Sequence, residues 1–258
     1  MTWISSEDRG LVRWLTLSNP GRRNAVPLDG WQELTAALAD VEDSEARVLV
    51  IRGNGEDFCA GADLDPGGGA ETGVIARHRR MKVVAEAAAA LHRLPKPTIA
   101  AVDGVAVGAG LNLALGCDVV VATTRARFSE IFVRRGLTVD FGGTWLLPRI
   151  VGLQRAKEMA LSGRIVEADE AHRIGLCLEV VEPDGLETAA QATAESFLAG
   201  APVAQAFAKQ GIDAAWEVSF SEALGWEGQS QSICFATEDF EEGVAAFLEK
   251  RPPDFRGR

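Results

Sequence analysis

Residues 102–117 read VDGVAVGAGLNLALGC. The five residues that lead into them, Thr98-Ile99-Ala100-Ala101-Val102, are nearly all apolar and read as a buried strand. Gly104, Gly108 and Gly110 follow within seven residues, and Leu111, Leu113, Ala114 and Leu115 then continue in a helical pattern. Glycine admits positive φ and lets the backbone approach a ligand closely. The first turn of a helix leaves N–H groups unpaired, with a partial positive charge behind them. Strand, glycine turn and helix start together make a place for a negatively charged oxygen.

A second glycine turn lies upstream. Residues 48–51 read as a short buried strand, and 53–64 (GNGEDFCAGADL) form a loop at its carboxyl end. Before it, 11–17 (LVRWLTL) alternate like a strand, followed by a turn at Ser18-Asn19-Pro20-Gly21 and a basic pair, Arg22 and Arg23. Residues 28–41 have helical spacing, with Trp31, Leu34, Leu38 and Val41 on one face. Residues 65–72, rich in glycine, read as a mobile loop. Residues 74–91 read as a helix with an alanine run, stopped by Pro95-Lys96-Pro97.

Beyond the central stretch the pattern predicts a strand at 118–122 and a short strand edge at 126–128. A loop at 134–143 leads to a helix start at Gly142-Gly143-Thr144. Helices are expected at 153–161 and 167–173, and a strand at 177–181. From Asp184 onward nearly everything reads as helix, in four segments near 186–198, 202–218, 221–235 and 239–249. Strand–helix alternation followed by a helical tail implies an α/β core over 1–198 with a C-terminal helical region over 199–258.

At 258 residues the chain can bury one large core, or one core with an appendage. A net charge of −11 argues against non-specific binding to nucleic acid or to an anionic membrane. It leaves room for a local basic pocket. The N-terminus is acidic and polar rather than a signal peptide, and no apolar run reaches the roughly 18 residues of a membrane helix. The cysteines, Cys59, Cys117, Cys177 and Cys234, are scattered without a CxxC pair, which predicts free thiols in a reducing cytoplasm. GxSxG, HExxH and GxxxxGK[ST] are absent, and Gly108-Ala109-Gly110 lacks a third dinucleotide glycine because Leu113 occupies that position. His78, His92 and His172 fall on helix faces or ends, and no spacing suits a metal, so neither metal nor separate cofactor is expected.

FCAGADL, then about forty residues on AVDGVAVGAGLNLALGCDVVVA, then FGGTWLLPRIVG resembles the crotonase superfamily, the enoyl-CoA hydratases and isomerases. The opening NPGRRNAV (19–26) and the closing FLEKRPPDF (247–255) extend the resemblance over almost the whole chain. It implies a spiral of β-β-α units with a C-terminal helical oligomerisation region, assembling as a homotrimer or hexamer. It implies an acyl-CoA thioester as substrate, with CoA part of that substrate. By the same resemblance the thioester oxygen is held by the N–H groups of Ala62 and Ala109. CoA lies along Arg22, Arg23 and Ala25, then Ala60, Asp63 and Leu64. Phe247 and Lys250 reach it from the C-terminal helix of a neighbouring subunit. Turning a thioester into an enolate moves negative charge onto the carbonyl oxygen, and a preorganised amide donor there is typically worth about 3–4 kcal/mol.

One departure bears on the reaction. Hydratases of this family hold water between two glutamates, and those positions are Asn112 and Phe132 here. An amide takes no proton from water, and a phenyl ring excludes it. Glu130 is two residues out of register and is expected to face elsewhere. Asp140, in GLTVDFGGT (136–144), occupies the position where some isomerases of the superfamily carry an acid. An isomerase needs one base that takes a proton from one carbon and returns it to another. Between Phe132 and Phe141 the Asp140 carboxyl should have a raised pKa. Asp140 is open to a second reading as cap of the helix near Gly142. Asn112 either bonds substrate, orients Asp140, or serves as a helix amide bonded to backbone. The expectation is an enoyl-CoA double-bond isomerase. A hydratase and a catalytically silent acyl-CoA-binding protein are the alternatives, and a dehalogenase lacks the supporting histidine and tryptophan.

Overall fold

The computed structural model describes residues 2–63 and 73–258. Leu64 and the 65–72 loop lie outside them. The core elements, in order, are β1 (Ile4–Arg9), β2 (Val12–Leu17), α1 (Gly30–Asp43), β3 (Val48–Gly53), α2 (Val74–Arg93), β4 (Thr98–Val102), β5 (Val105–Val107), α3 (Ala109–Leu115), β6 (Val119–Thr123) and β7 (Arg127–Ser129). They continue with α4 (Gly143–Val151), α5 (Leu153–Ser162), β8 (Val166–Glu167), α6 (Ala168–Arg173), β9 (Glu179–Val181) and α7 (Leu186–Leu198). The C-terminal helices are α8 (Pro202–Ala214), α9 (Phe220–Cys234) and α10 (Glu238–Glu249).

Six strands form one sheet in the order β1-β2-β3-β4-β6-β9, antiparallel only between β1 and β2. A smaller sheet has the order β5-β7-β8. The central strands are buried on both faces, which is why they read as unbroken apolar runs. Leu15, Leu17, Leu49, Ile51, Ala100 and Val102 face a core shared with Trp31, Leu34, Leu38, Ala87 and Leu91 of α1 and α2. Val12, Trp14, Val48, Val50, Ile99 and Ala101 face a second core closed by Ala190 and Ala194 of α7. The alternation has the two-residue period of a pleated strand. The buried stripe expected on α1, Trp31, Leu34, Leu38 and Val41, is the one observed.

Several elements differ from their sequence reading. β1 went unread because four of its six residues are exposed and its composition, ISSEDR, carries no apolar alternation. It is an edge strand, and charge on an edge blocks pairing with other chains. β5 lies inside the glycine-rich turn after β4, where three residues give no periodic signal; it pairs in parallel with β7. The third C-terminal segment from the end stops at Ala214 rather than at residue 218.

β5 brings the central stretch against the upstream loop. Gly110 sits so close to that loop that a Cβ there would collide with the Cys59 carbonyl, so only glycine fits. The helical region is tied to the core by polar contacts. Lys209 donates to the Lys96 carbonyl (3.3 Å) and to Asp118 (3.0 Å), Trp145 Nε1 donates to Glu217 (3.0 Å), and Arg47 donates to the carbonyls of Gly200 and Phe255. Among the described residues no helix is long and apolar enough to cross a membrane.

Candidate active site

Two loops leave parallel strands side by side. Cys59 and Ala106 form a parallel bridge: Cys59 N donates to the Val105 carbonyl (2.9 Å), and Val107 N donates to the Cys59 carbonyl (3.1 Å). Three residues beyond each of these come Ala62 and Ala109, each reached through a glycine of positive φ, Gly61 and Gly108. A Cβ placed on Gly61, the neighbour of Ala62, would lie 3.5 Å from Ala109 N. Ala109 opens α3, where an N–H has no partner within the helix. Around Ala62 the flanking groups are taken: Val26 N donates to the Gly61 carbonyl (2.8 Å) and Asp63 N to the Val26 carbonyl (2.9 Å). Among the described residues neither the Ala62 nor the Ala109 N–H has a protein acceptor. Two free amides close together can hold an oxygen that becomes negative during reaction.

The residues expected along CoA gather beside this turn. Ala60 N donates to the Arg23 carbonyl (3.0 Å), Arg22 pairs with Asp63 (3.6 Å) and Arg23 with Asp57 (3.7 Å). Both guanidiniums are more than half exposed and available to a phosphate. Ala25 is buried, and its N–H donates to the Arg22 carbonyl (3.0 Å). Asn24 is a residue that sequence reading missed. It adopts φ 56°, a conformation asparagine tolerates, and its amide donates to the carbonyls of Asn54 (3.0 Å) and Asp57 (2.6 Å). It thereby locks the arginine turn onto the loop that leads to Ala62. Phe247 and Lys250 are not brought to the site within one chain. They are exposed at the end of α10, and Phe247 borders a groove with Ala201, Val203 and Phe255.

Asp140 lies in the loop before α4. The residue that caps α4 is Gly142, and the Asp140 carboxylate caps nothing. Only its main chain serves the helix start, its carbonyl accepting from Gly143 N at 3.0 Å. The side-chain Oδ1 is buried and without a hydrogen-bond partner, and burial pushes the carboxyl up to about 6. The next residue, Phe141, has φ 49°, a costly conformation for a bulky side chain. Its ring is buried and packs on Trp31 with centroids 5.0 Å apart, which holds the strained turn in place. Phe132 is also buried, its ring 3.6 Å from where a Cβ on Gly108 would stand. It therefore lines the amide turn as an apolar wall.

Asn112, fully buried on α3, reaches Asp140 through the backbone: Nδ2 donates to the Asp140 carbonyl at 2.9 Å. Its amide lies so close to Gly143 that a Cβ there would collide with it.

Glu130 corrects the expectation that it faces elsewhere. It is fully buried, and its Oε2 accepts from Asn112 Nδ2 at 3.4 Å. Burial, with the Asp140 charge adding to it, pushes its carboxyl up to about 8. Glu130 stands where β7 gives way to a 3-10 turn (Ile131–Arg135), and there its side chain points inward although it is two residues out of register with Phe132. The available signal was one charge among uncharged, mostly apolar residues in FSEIF (128–132).

A cavity of about 740 Å³ opens beside Phe141 and Gly142, bounded also by Ala88, His92, Trp145 and Asp213. Among the described residues no cluster of His, Cys, Asp or Glu is arranged to hold a metal ion.

Fold and site define an α/β protein with two free main-chain amides on adjoining loops and a half-buried acid on a loop tied to the helix that one of them opens. The enoyl-CoA hydratase/isomerase family model matches residues 7–258. A probable enoyl-CoA hydratase of Rhodobacter capsulatus is 41% identical, covering 95% of this chain and 94% of its own. The 1,2-epoxyphenylacetyl-CoA isomerase of Escherichia coli is 38% identical over 100% of both chains. The crystal structure of an enoyl-CoA hydratase from Bacillus anthracis matches with a TM-score of 0.94 at 32% identity, covering 99% of this chain and 100% of that one. The chain belongs to the enoyl-CoA hydratase/isomerase family of the crotonase superfamily, whose members are acyl-CoA enzymes.

Proposed function

We propose that this acyl-CoA enzyme is a double-bond isomerase with Asp140 as its proton shuttle. The observation that carries the reading is Asp140: its carboxyl is half-buried with an unpartnered oxygen, and its main-chain carbonyl is tied by Asn112 to the helix that begins at Ala109. The Asp140 carboxylate takes a proton from C2 of a 3-enoyl thioester. The electron pair moves into the carbonyl, and the dienolate oxygen rests on the amides of Ala62 and Ala109. Protonated Asp140 then returns the proton to C4, which leaves the double bond between C2 and C3. No water takes part, and Phe132 keeps it away from the amide turn. The acyl chain extends toward the cavity beside Phe141 and Gly142. CoA runs along Arg22, Arg23, Ala25, Ala60, Asp63 and Leu64. Phe247 and Lys250 of a neighbouring subunit complete its site in a homotrimer or hexamer, and the enzyme works in the cytoplasm.

A second reading, hydration of 2-enoyl-CoA, is supported by the hydratase names of relatives such as the one from R. capsulatus. A third is acyl-CoA binding without turnover. Incubation with 3-enoyl-CoA separates them: absorbance of the conjugated 2-enoyl product should appear, and Asp140→Asn should abolish it while CoA binding persists. Parental activity in Asp140→Asn sinks the isomerase reading. Ordinary enzyme rates of 2-enoyl-CoA hydration favour the second, and binding without exchange of the α-proton favours the third.

A further inference from the structure

Glu130 is unusual in this site: it precedes a 3-10 turn, yet its fully buried carboxyl makes no capping hydrogen bond and meets no cation. The two N–H bonds of the Asn112 amide are divided between two acceptors, the Asp140 carbonyl at 2.9 Å and Glu130 Oε2 at 3.4 Å. Gly143 closes against the same amide. Asn112 therefore has one orientation, set from one side by Glu130 and passed on to the Asp140 loop from the other. Glu130 Oε1 and Asp140 Oδ1 are both buried without partners.

We propose that Glu130 is a positioning residue for Asp140, acting through the Asn112 amide, and that its ionisation switches the site off. The inference rests on the reading of Asp140 as base. The surroundings of Glu130 leave Asp140 as the one charge it feels. α3 (AGLNLAL) carries no ionisable residue. In the turn that follows Glu130, Arg134 is directed to the Ser162 carbonyl (3.1 Å) and Arg135 is exposed. On α5, Glu158 is paired with Arg164, and Arg155 and Lys157 are exposed. On α4, Arg149 donates to the Trp145 carbonyl (3.0 Å). Burial holds the Glu130 carboxyl up to about 8, so at neutral pH it is uncharged beside an ionised Asp140. Two carboxyls with separated titrations divide their roles in this way. Above that range a second negative charge stands next to the base and to the forming dienolate, and opposes both.

The test compares pH–rate profiles on 3-enoyl-CoA for the full-length parent, Glu130→Gln, Glu130→Leu and Asp140→Asn, with thermal unfolding of each. The parent should rise through pH 6 and fall above pH 8. Glu130→Gln, which keeps an acceptor for Asn112, should stay within threefold of the parent at pH 7 and lose the alkaline fall. Glu130→Leu, which removes the acceptor, should lose at least tenfold in kcat with little change in KM. An alkaline fall that persists in Glu130→Gln overturns the inference, as does parental kcat in a folded Glu130→Leu. If Glu130→Leu fails to fold, the Glu130→Gln profile decides alone. Parental activity in Asp140→Asn would instead overturn the base assignment. An inactive Asp140→Asn beside an unchanged Glu130→Gln profile overturns only the role of Glu130.

Discussion

Asn112 Nδ2 lies 2.9 Å from the main-chain carbonyl of Asp140. Through this bond the helix that begins with the Ala109 amide holds the loop that carries Asp140, so the amide and the carboxyl belong to elements tied to each other. Asn112→Ala leaves the Asp140 carbonyl without its side-chain donor and opens space beside Gly143. The expected result is a fall in kcat of at least tenfold, with CoA binding retained. Steady-state kinetics with isothermal titration would measure both, and an unchanged kcat would show that the bond does not set the base.

Ala109→Pro removes one N–H at the first position of a helix, where proline is tolerated. Loss of a single oxyanion donor costs roughly 10²–10³ in kcat. Turnover should drop by that order while thermal unfolding changes little. A drop below threefold would mean that this amide does not face the thioester oxygen.

Stability should depend on pH through Glu130 and Asp140. Both carboxyls have folded-state values raised above 4.5 and 3.8, to about 8 and about 6. A raised carboxyl means that the folded state binds the proton more tightly. Its contribution is complete below the unfolded value and is lost as pH climbs through the folded one. Unfolding midpoints should therefore fall between pH 4.5 and 8, by a free energy on the order of a few kcal/mol. Glu130→Gln should flatten most of that fall. Denaturant titrations at pH 5 and pH 8 would check it, and an identical slope in the variant would count against a buried neutral Glu130.

Arg22→Ala and Arg23→Ala should weaken CoA binding by about threefold to tenfold each, the scale of an exposed charge contact. The loss should shrink at high salt, and kcat should be unaffected. A change in kcat without a change in affinity would place the arginine turn elsewhere than along the phosphates.

Phe247 and Leu248, 82% and 73% exposed, lie on α10, and Phe220 on α9 and Trp216 in the turn before it are exposed too, a set of large apolar side chains that a neighbouring subunit would cover. Sedimentation equilibrium should give a multiple of three times 27.5 kDa. Phe247→Glu should weaken the assembly and raise KM for CoA thioesters together. A monomeric parent with full activity would refute the shared site.

Much of this protein could be read along the chain. The apolar runs at 48–51 and 98–102, the stripe on α1 and the two glycine turns are local features, because periodicity and backbone freedom belong to neighbouring residues. So did the order of the motifs that define the family. Other features depend on contacts between distant segments. The Cys59–Ala106 bridge brings the loops that carry Ala62 and Ala109 together, although these residues are 47 positions apart. The strained turn at Phe141 depends on Trp31, 110 positions earlier. Glu130, two residues out of register with Phe132, is expected from sequence to face elsewhere, yet at the junction of β7 with a tight turn it is buried against the Asn112 amide. A residue's type sets what chemistry it can do. Its charge state and its partner are set by desolvation and geometry, which exist only once the chain has packed.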